Sequence, residues 1–327
     1  MQFDSLLGKR IVLITGKGGV GRSSVTAAIA QAAARAGKRV LVTEMADGAG
    51  QSKHSEYDDE PHNAAIHEYS PLARLFGRER LPERKEELMP GISGSLLLPL
   101  YGHELFLTSV FRVAAIAKAA LHSEALRRLF QAAPSLREIG IFYCLLTFLQ
   151  AKHADGGFEN ELILVDMPAT GHALALTGLP RTLINMVARG PIADALREGQ
   201  AYLTDPAQSA TYVVTLPEAL PVSETLELLE GLKSSNMPIG GVILNHVPRD
   251  PFTAEERREV AGMLDAAHAK EKGVLGEQSF RYFDEAKRET ERLEREIKVP
   301  LLRLPDAPPG CGSLVSFLAD SLLGGSP

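Results

Sequence analysis

The sequence predicts a doubly wound, mostly parallel α/β sheet with helices on both faces, formed as one domain over residues 1–327. Three observations carry that expectation. Short apolar runs recur without polar–apolar alternation. Helical patterns lie between and after several of them. A glycine-rich turn, Gly16–Ser24, joins the first run to the first long helical pattern.

The runs are Ile11–Thr15, Arg39–Glu44, Leu162–Asp166, Thr211–Thr215, Gly241–Asn245 and Pro300–Leu304. They are brief and rich in β-branched residues, as strands buried on both faces are. The helical patterns are Ser23–Ala36, Val222–Ser234, Ala254–Lys270, Phe280–Ile297 and Ser313–Leu322. Ligands in such sheets sit at the carboxyl ends of the strands. Over Phe280–Lys298, Glu and Arg fall three and four residues apart, which reads as an exposed helix face.

The stretch from about residue 70 to residue 152 breaks the alternation and reads as a mostly helical insert rich in Leu, Ala and Phe. Within it Glu104, Thr108 and Arg112 form a narrow polar stripe at helical spacing, the pattern of a buried helix. Two readings stand: a helical subdomain packed on the sheet or on a partner subunit, and a groove for an apolar client helix. The polar segment Asp47–His67 holds His54, His62 and His67 beside Asp58, Asp59 and Glu60. Their spacings match no standard metal-ligand pattern, so the segment reads as a solvated loop.

Composition narrows the function class. The chain is 45% apolar and 23% charged with a net charge of −6, which supplies a core and argues against a nucleic-acid surface. The two cysteines, Cys144 and Cys311, exclude a disulfide framework and a four-cysteine zinc site, and fit a reducing compartment. No basic region with an apolar run precedes the first strand, so no signal peptide is expected. Leu105–Leu121 is interrupted by Thr108, Ser109, Arg112 and Lys118 and makes a poor membrane span. The expected location is cytoplasmic.

The chemistry concentrates in Gly16-Lys17-Gly18-Gly19-Val20-Gly21-Arg22-Ser23-Ser24. Glycines let the backbone wrap closely and aim its N–H groups at phosphate oxygens, and the following helix adds its positive end. The hydroxyl after the basic residue, Ser23, is the place for a Mg2+ ligand. The same stretch also fits Gly-x-Gly-x-x-Gly through Gly16, Gly18 and Gly21, with Glu44 ending the next strand, which is the fingerprint of an NAD-binding oxidoreductase. Lys17 and the Ser23-Ser24 pair are not asked for by that fingerprint. Asp166 decides between the two readings. It ends a buried run and is followed by Met167-Pro168-Ala169-Thr170-Gly171-His172. An aspartate there, opposite a phosphate loop, holds Mg2+ through water, and a glycine-containing turn after it can respond to the terminal phosphate.

These motifs together resemble the arsenite-pump ATPases and the tail-anchored-protein targeting ATPases. GKGGVG followed by a basic residue and Ser is similar to their deviant Walker A loop. DMPATGHALALTGLP resembles their switch II, VVTLPEALPVSETLELLEGL their next strand and helix, VILNHV the strand whose Asn reads adenine, and KVPLLRLPDAPPG the loop over the base. The resemblance spans residue 11 to about residue 310. It implies ATP and Mg2+ as ligands, with Ser23 and Asp166 on the metal, Asn245 and Pro305 near the base, and Glu44 orienting the attacking water. It also implies a dimer in which Lys17 reaches the nucleotide of the facing subunit, either as a homodimer or beside a paralogous ATPase.

The departures from that pattern are as informative. Arg22 replaces the loop lysine, and a planar guanidinium is not interchangeable with an ammonium at a tight phosphate site. Switch I reads Thr43-Glu44-Met45-Ala46-Asp47, with Asp47 a second candidate for its carboxylate. The Cys-x-x-Cys that bridges the targeting dimer through zinc is absent, and so are the clustered cysteines that bind arsenite, which argues against arsenite transport. The leading expectation is an ATPase that works as a nucleotide-driven switch on a protein partner or client. The alternative is a hydrolysis-impaired regulatory subunit beside an intact paralogue.

Overall fold

The computed structural model describes residues 2–45, 70–111, 134–167, 191–268 and 274–324. In chain order the elements are α1 (Gln2–Leu7), β1 (Ile11–Gly16), α2 (Arg22–Arg35), β2 (Val40–Met45), α3 (Pro71–Leu75), β3 (Glu86–Met89), β4 (Ile92–Leu97), α4 (Pro99–Phe111) and α5 (Pro134–Gln150). There follow β5 (Leu162–Asp166), α6 (Pro191–Thr204), β6 (Ser209–Thr215), α7 (Ala219–Ser234), β7 (Ile239–Val247), α8 (Ala254–His268), α9 (Glu277–Glu296), β8 (Leu301–Pro305) and α10 (Leu314–Leu322). The six expected strands all form, within two residues of their expected ends.

The eight strands make one sheet in the order β3-β4-β2-β5-β1-β6-β7-β8. Every neighbouring pair is parallel except β3 with β4. β1 lies where the chain order reverses, so its carboxyl end opens onto the crevice where such sheets bind ligands. This order also removes the reading as an NAD-binding oxidoreductase. In the dinucleotide-binding order the first two strands are neighbours, whereas here β5 stands between β1 and β2.

Alternate residues of the central strands go to opposite layers. Val12, Ile14, Val40, Val42, Leu162 and Leu164 pack with α2, α3 and α10. Ile11, Leu13, Leu41, Ile163 and Val165 pack with α5, α6 and α7. Both faces are therefore dry, which is why the strands read as continuous apolar runs. The α2 surface is mostly alanine (Ala27, Ala28, Ala30, Ala32 and Ala33 are fully buried), so the helix axis can lie close to the sheet.

The stretch read as a helical insert is in part sheet. β3 and β4 lie within it, and β4 pairs with β2 over six residues from Val40↔Ile92 to Met45↔Leu97. The sequence Ile92-Ser93-Gly94-Ser95-Leu96-Leu97 has little intrinsic strand preference. It is a strand because β2 offers it a ladder. The turn before it was legible: Pro90 precedes Gly91 at φ 79, the left-handed position that a type II turn reserves for glycine.

α4 and α5 approach backbone to backbone. A Cβ on Gly102 would stand 1.7 Å from the Gly140 carbonyl oxygen, and one on Gly140 would stand 2.2 Å from that of Pro99. α5 then packs on the sheet through Ile141, Leu145, Phe148 and Leu149. Among the described residues no helix is long and apolar enough to cross a membrane. The histidine-bearing segment Asp47–His67 and the turn Thr170-Gly171-His172 lie outside the described residues.

Candidate functional site

β1 ends in a turn that only glycine permits. Gly16 has φ 151, and a Cβ there would meet the Val214 carbonyl oxygen at 2.4 Å. Gly19 (φ 87) and Gly21 (φ 84) are also left-handed. Lys17, Gly18 and Gly19 are exposed, while Val20 is buried and pins the loop to the core. Gly21 is the N-cap of α2 and offers no side chain to it. The cap thus supplies no side-chain acceptor to the first-turn N–H groups of α2, the groups that in such a loop can face an anion, with Arg22, Ser23 and Ser24 around them.

The β5 residues that face α2 are Leu162, Leu164 and, by the same alternation, Asp166. Asp166 is 5% exposed and meets the first turn of α2, where Ser23 Oγ donates to its Oδ2 at 2.5 Å. Its other oxygen, Oδ1, is buried and has no hydrogen-bond partner among the described residues. Burial pushes the Asp166 carboxyl up to about 6, against the opposing effects of the Ser23 hydrogen bond and the Arg22 charge. A buried carboxylate with one free oxygen beside a serine hydroxyl is the donor set a hard divalent cation takes, so the residues fit Mg2+. Burial without a partner is costly, and a cation would relieve it.

Arg22 does not reach outward. Its Nη1 donates to the carbonyl of Met167, the residue after Asp166. Glu44 lies on β2 in register with Asp166. Its carboxylate accepts a hydrogen bond from Ser70 Oγ, and Ser70 also caps α3 by accepting from Ala73 N. Lys17 Nζ is paired with Glu224 Oε1 at 2.7 Å, on α7 of the same chain. Asn245, at the end of β7, donates from Nδ2 to the Val20 carbonyl at 3.0 Å. Pro305 closes β8 beside Val247, and the next residue, Asp306, donates its N–H to the Val247 carbonyl at 2.9 Å.

The model of the CobQ/CobB/MinD/ParA nucleotide binding domain matches residues 11–296, most of the chain and every element of this site except Pro305. The chain belongs to that family. This member is 29% identical over 272 residues to ATPase BagA of Mycobacterium tuberculosis, covering 80% of this chain and 72% of that protein. It is 24% identical over 288 residues to a protein of Aquifex aeolicus named "Putative arsenical pump-driving ATPase 2", covering 77% of this chain and 85% of that one. It is thus a nucleotide-binding protein of the MinD/ParA type with an ATPase fold.

Within this family member, the fold brings together Gly16, Gly21, Arg22, Ser23, Asp166 and, one strand over, Glu44. Asn245 arrives from below the loop. The second switch I candidate, Asp47, is outside the described residues. Sequence reasoning missed Glu224 and Ser70. Glu224 is one of three acids on α7, with Glu227 and Glu230, and nothing in the sequence separates it from the others. Ser70 directly precedes Pro71, and that Ser-Pro helix start was a legible cap signal.

Proposed function

We propose that this protein is a Mg-ATP-driven conformational switch, related to the arsenite-pump and tail-anchor-targeting ATPases, that works in the cytoplasm as a dimer on a protein partner. The Gly16–Ser24 loop takes the phosphates, with Asn245 and Pro305 toward the base side. Ser23 and Asp166 would hold Mg2+, which neutralises charge developing on the transferred phosphoryl group. Glu44, in register with Asp166, orients the attacking water. Lys17 leaves Glu224 to complete the site of the facing subunit. The helices of the 70–152 region carry the nucleotide state to the partner or to an apolar client helix. The observation that carries this reading is the Ser23–Asp166 pair at the mouth of the phosphate loop, with Asp166 Oδ1 buried and without a hydrogen-bond partner among the described residues.

The test is phosphate release from Mg-ATP by the purified protein. Turnover that needs Mg2+ is the expected result; no turnover under any condition overturns the hydrolytic part of the reading. Light scattering after size exclusion reads the second part. The protein is expected to double in mass with a non-hydrolysable ATP analogue, and Lys17→Ala is expected to abolish that change.

One observation favours a second reading, the hydrolysis-impaired regulatory subunit. The Arg22 guanidinium is committed to the Met167 carbonyl, so it is not poised over the loop as a point charge. If hydrolysis is throttled by that commitment, Arg22→Lys frees a compact ammonium for the phosphates. The expected gain in kcat is about tenfold, the worth of one charge-assisted hydrogen bond. A drop in kcat for Arg22→Lys would make the arginine a working clamp instead.

A further inference from the structure

The end of β7 is bent. Leu244 is the last residue in register with β6, and the pairing with β8 shifts between Leu244 and Val247. His246 has φ 53, a left-handed conformation uncommon for a residue with a side chain, and its Nδ1 lies 3.1 Å from Asp306 Oδ1. The bend turns His246 outward and leaves Asn245 buried at 2% exposure.

Asn245 is wedged against the phosphate loop. Its Nδ2 donates to the Val20 carbonyl at 3.0 Å. On the next residue, a Cβ added to Gly21 would stand 2.4 Å from that same nitrogen. The Val20 carbonyl and the Gly21 N–H belong to one planar trans peptide and point in opposite directions. Tying the carbonyl to Asn245 on the sheet side therefore aims the Gly21 N–H away from the sheet, toward the cradle that a phosphate loop presents. Gly21 has no Cβ to restrict its φ, here 84°, so this plane could rotate readily in an untethered chain. Val20 itself is 2% exposed, so the tether fixes the plane from one end and the buried side chain from the other.

We infer that Asn245 is a positioning residue for the phosphate loop, whose side-chain amide holds the Val20–Gly21 peptide with its N–H turned toward the phosphates. This goes beyond a contact with adenine. It rests on the reading that the Gly16–Ser24 loop takes a nucleotide's phosphates, and it assigns the last strand before the base a role in shaping the phosphate cradle.

Inorganic tripolyphosphate has phosphates and no base, so it separates the two roles. Affinity for Mg-tripolyphosphate and for a non-hydrolysable Mg-ATP analogue is measured by calorimetry on the native protein, Asn245→Asp and Asn245→Ala. Asp keeps the size and an oxygen for the base but cannot donate to Val20; Ala removes both. The expected result is a loss of about tenfold for both ligands in Asn245→Asp, from one lost buried hydrogen bond, with the ratio between ligands unchanged, and at least that loss for tripolyphosphate in Asn245→Ala. Thermal unfolding is read alongside, and the loss is expected in variants that still unfold cooperatively. Loss of the ATP analogue alone, with tripolyphosphate unchanged, overturns the inference in favour of a base contact. Unchanged affinity for both overturns it too, as does failure of both variants to fold, which would make the amide a general folding strut. A native protein that binds neither ligand would remove the phosphate site itself, a distinct failure visible before any variant is made.

Discussion

Asp166→Ala is expected to lower phosphate release from Mg-ATP by about 10²–10³-fold, the usual cost of removing one preorganised electrostatic group from a reacting centre. Asp166 is placed for this by three independent constraints. The alternation of β5 turns it toward α2. The register with β1 and β2 sets it beside Ile14 and Glu44. The Ser23 hydroxyl fixes one oxygen, and the other has no hydrogen-bond partner among the described residues. The substitution removes a carboxylate without touching the glycine turn, so the affinity for a metal-free nucleotide is expected to stay within a few-fold of native. Steady-state phosphate release and metal-free nucleotide titration check the two halves. A variant that releases phosphate at the native rate would move the metal elsewhere.

Asp166→Asn is expected to stabilise the metal-free protein above neutrality, by about 3 kcal/mol. The folded-state pKa of about 6 lies above the ordinary 3.8, because burial disfavours the charged form. A shift of that size is worth about 3 kcal/mol at 1.36 kcal/mol per unit. The folded state binds the proton more tightly than the unfolded chain does. The contribution of Asp166 to stability is thus fully present below pH 3.8 and is lost as the pH rises through about 6. Asparagine keeps the shape and never ionises. The difference in unfolding free energy between variant and native should be near zero in acid and reach its plateau above about pH 7. Thermal or denaturant unfolding across pH, with chelator present, measures it; a difference independent of pH would contradict it. The same charge that supports turnover would then be a standing cost to the empty fold, and Mg2+ would be expected to bind more weakly as the pH falls through 6.

Much of the sheet was legible because its strands are buried on both faces. Ile11–Gly16 and Leu162–Asp166 announce themselves by unbroken apolarity, and the glycines of the loop by their spacing. β4 was not legible, since Ser93, Gly94 and Ser95 carry no strand signal of their own; the ladder to β2, contributed by residues far away in sequence, makes the strand. The pairing of Ser23 with Asp166 could be anticipated because a phosphate loop and a distant strand-ending aspartate imply each other chemically. The partners of Lys17, Arg22 and Asn245 could not. Each depends on a long-range contact, to Glu224, the Met167 carbonyl and the Val20 carbonyl, and a backbone carbonyl leaves no mark in the sequence.

The contact between Gly102 and Gly140 has a mechanical consequence. With no side chains between them at that point, α4 and α5 have no compliant layer to absorb relative sliding, so they would be expected to respond to a displacement as a single stiff lever. The short arm of that lever is anchored close to the nucleotide site. α4 begins at Pro99, three residues after Leu96, and Leu96 is the register partner of Glu44 on β2. A displacement of the β2–β4 edge would therefore be handed to both helices at once.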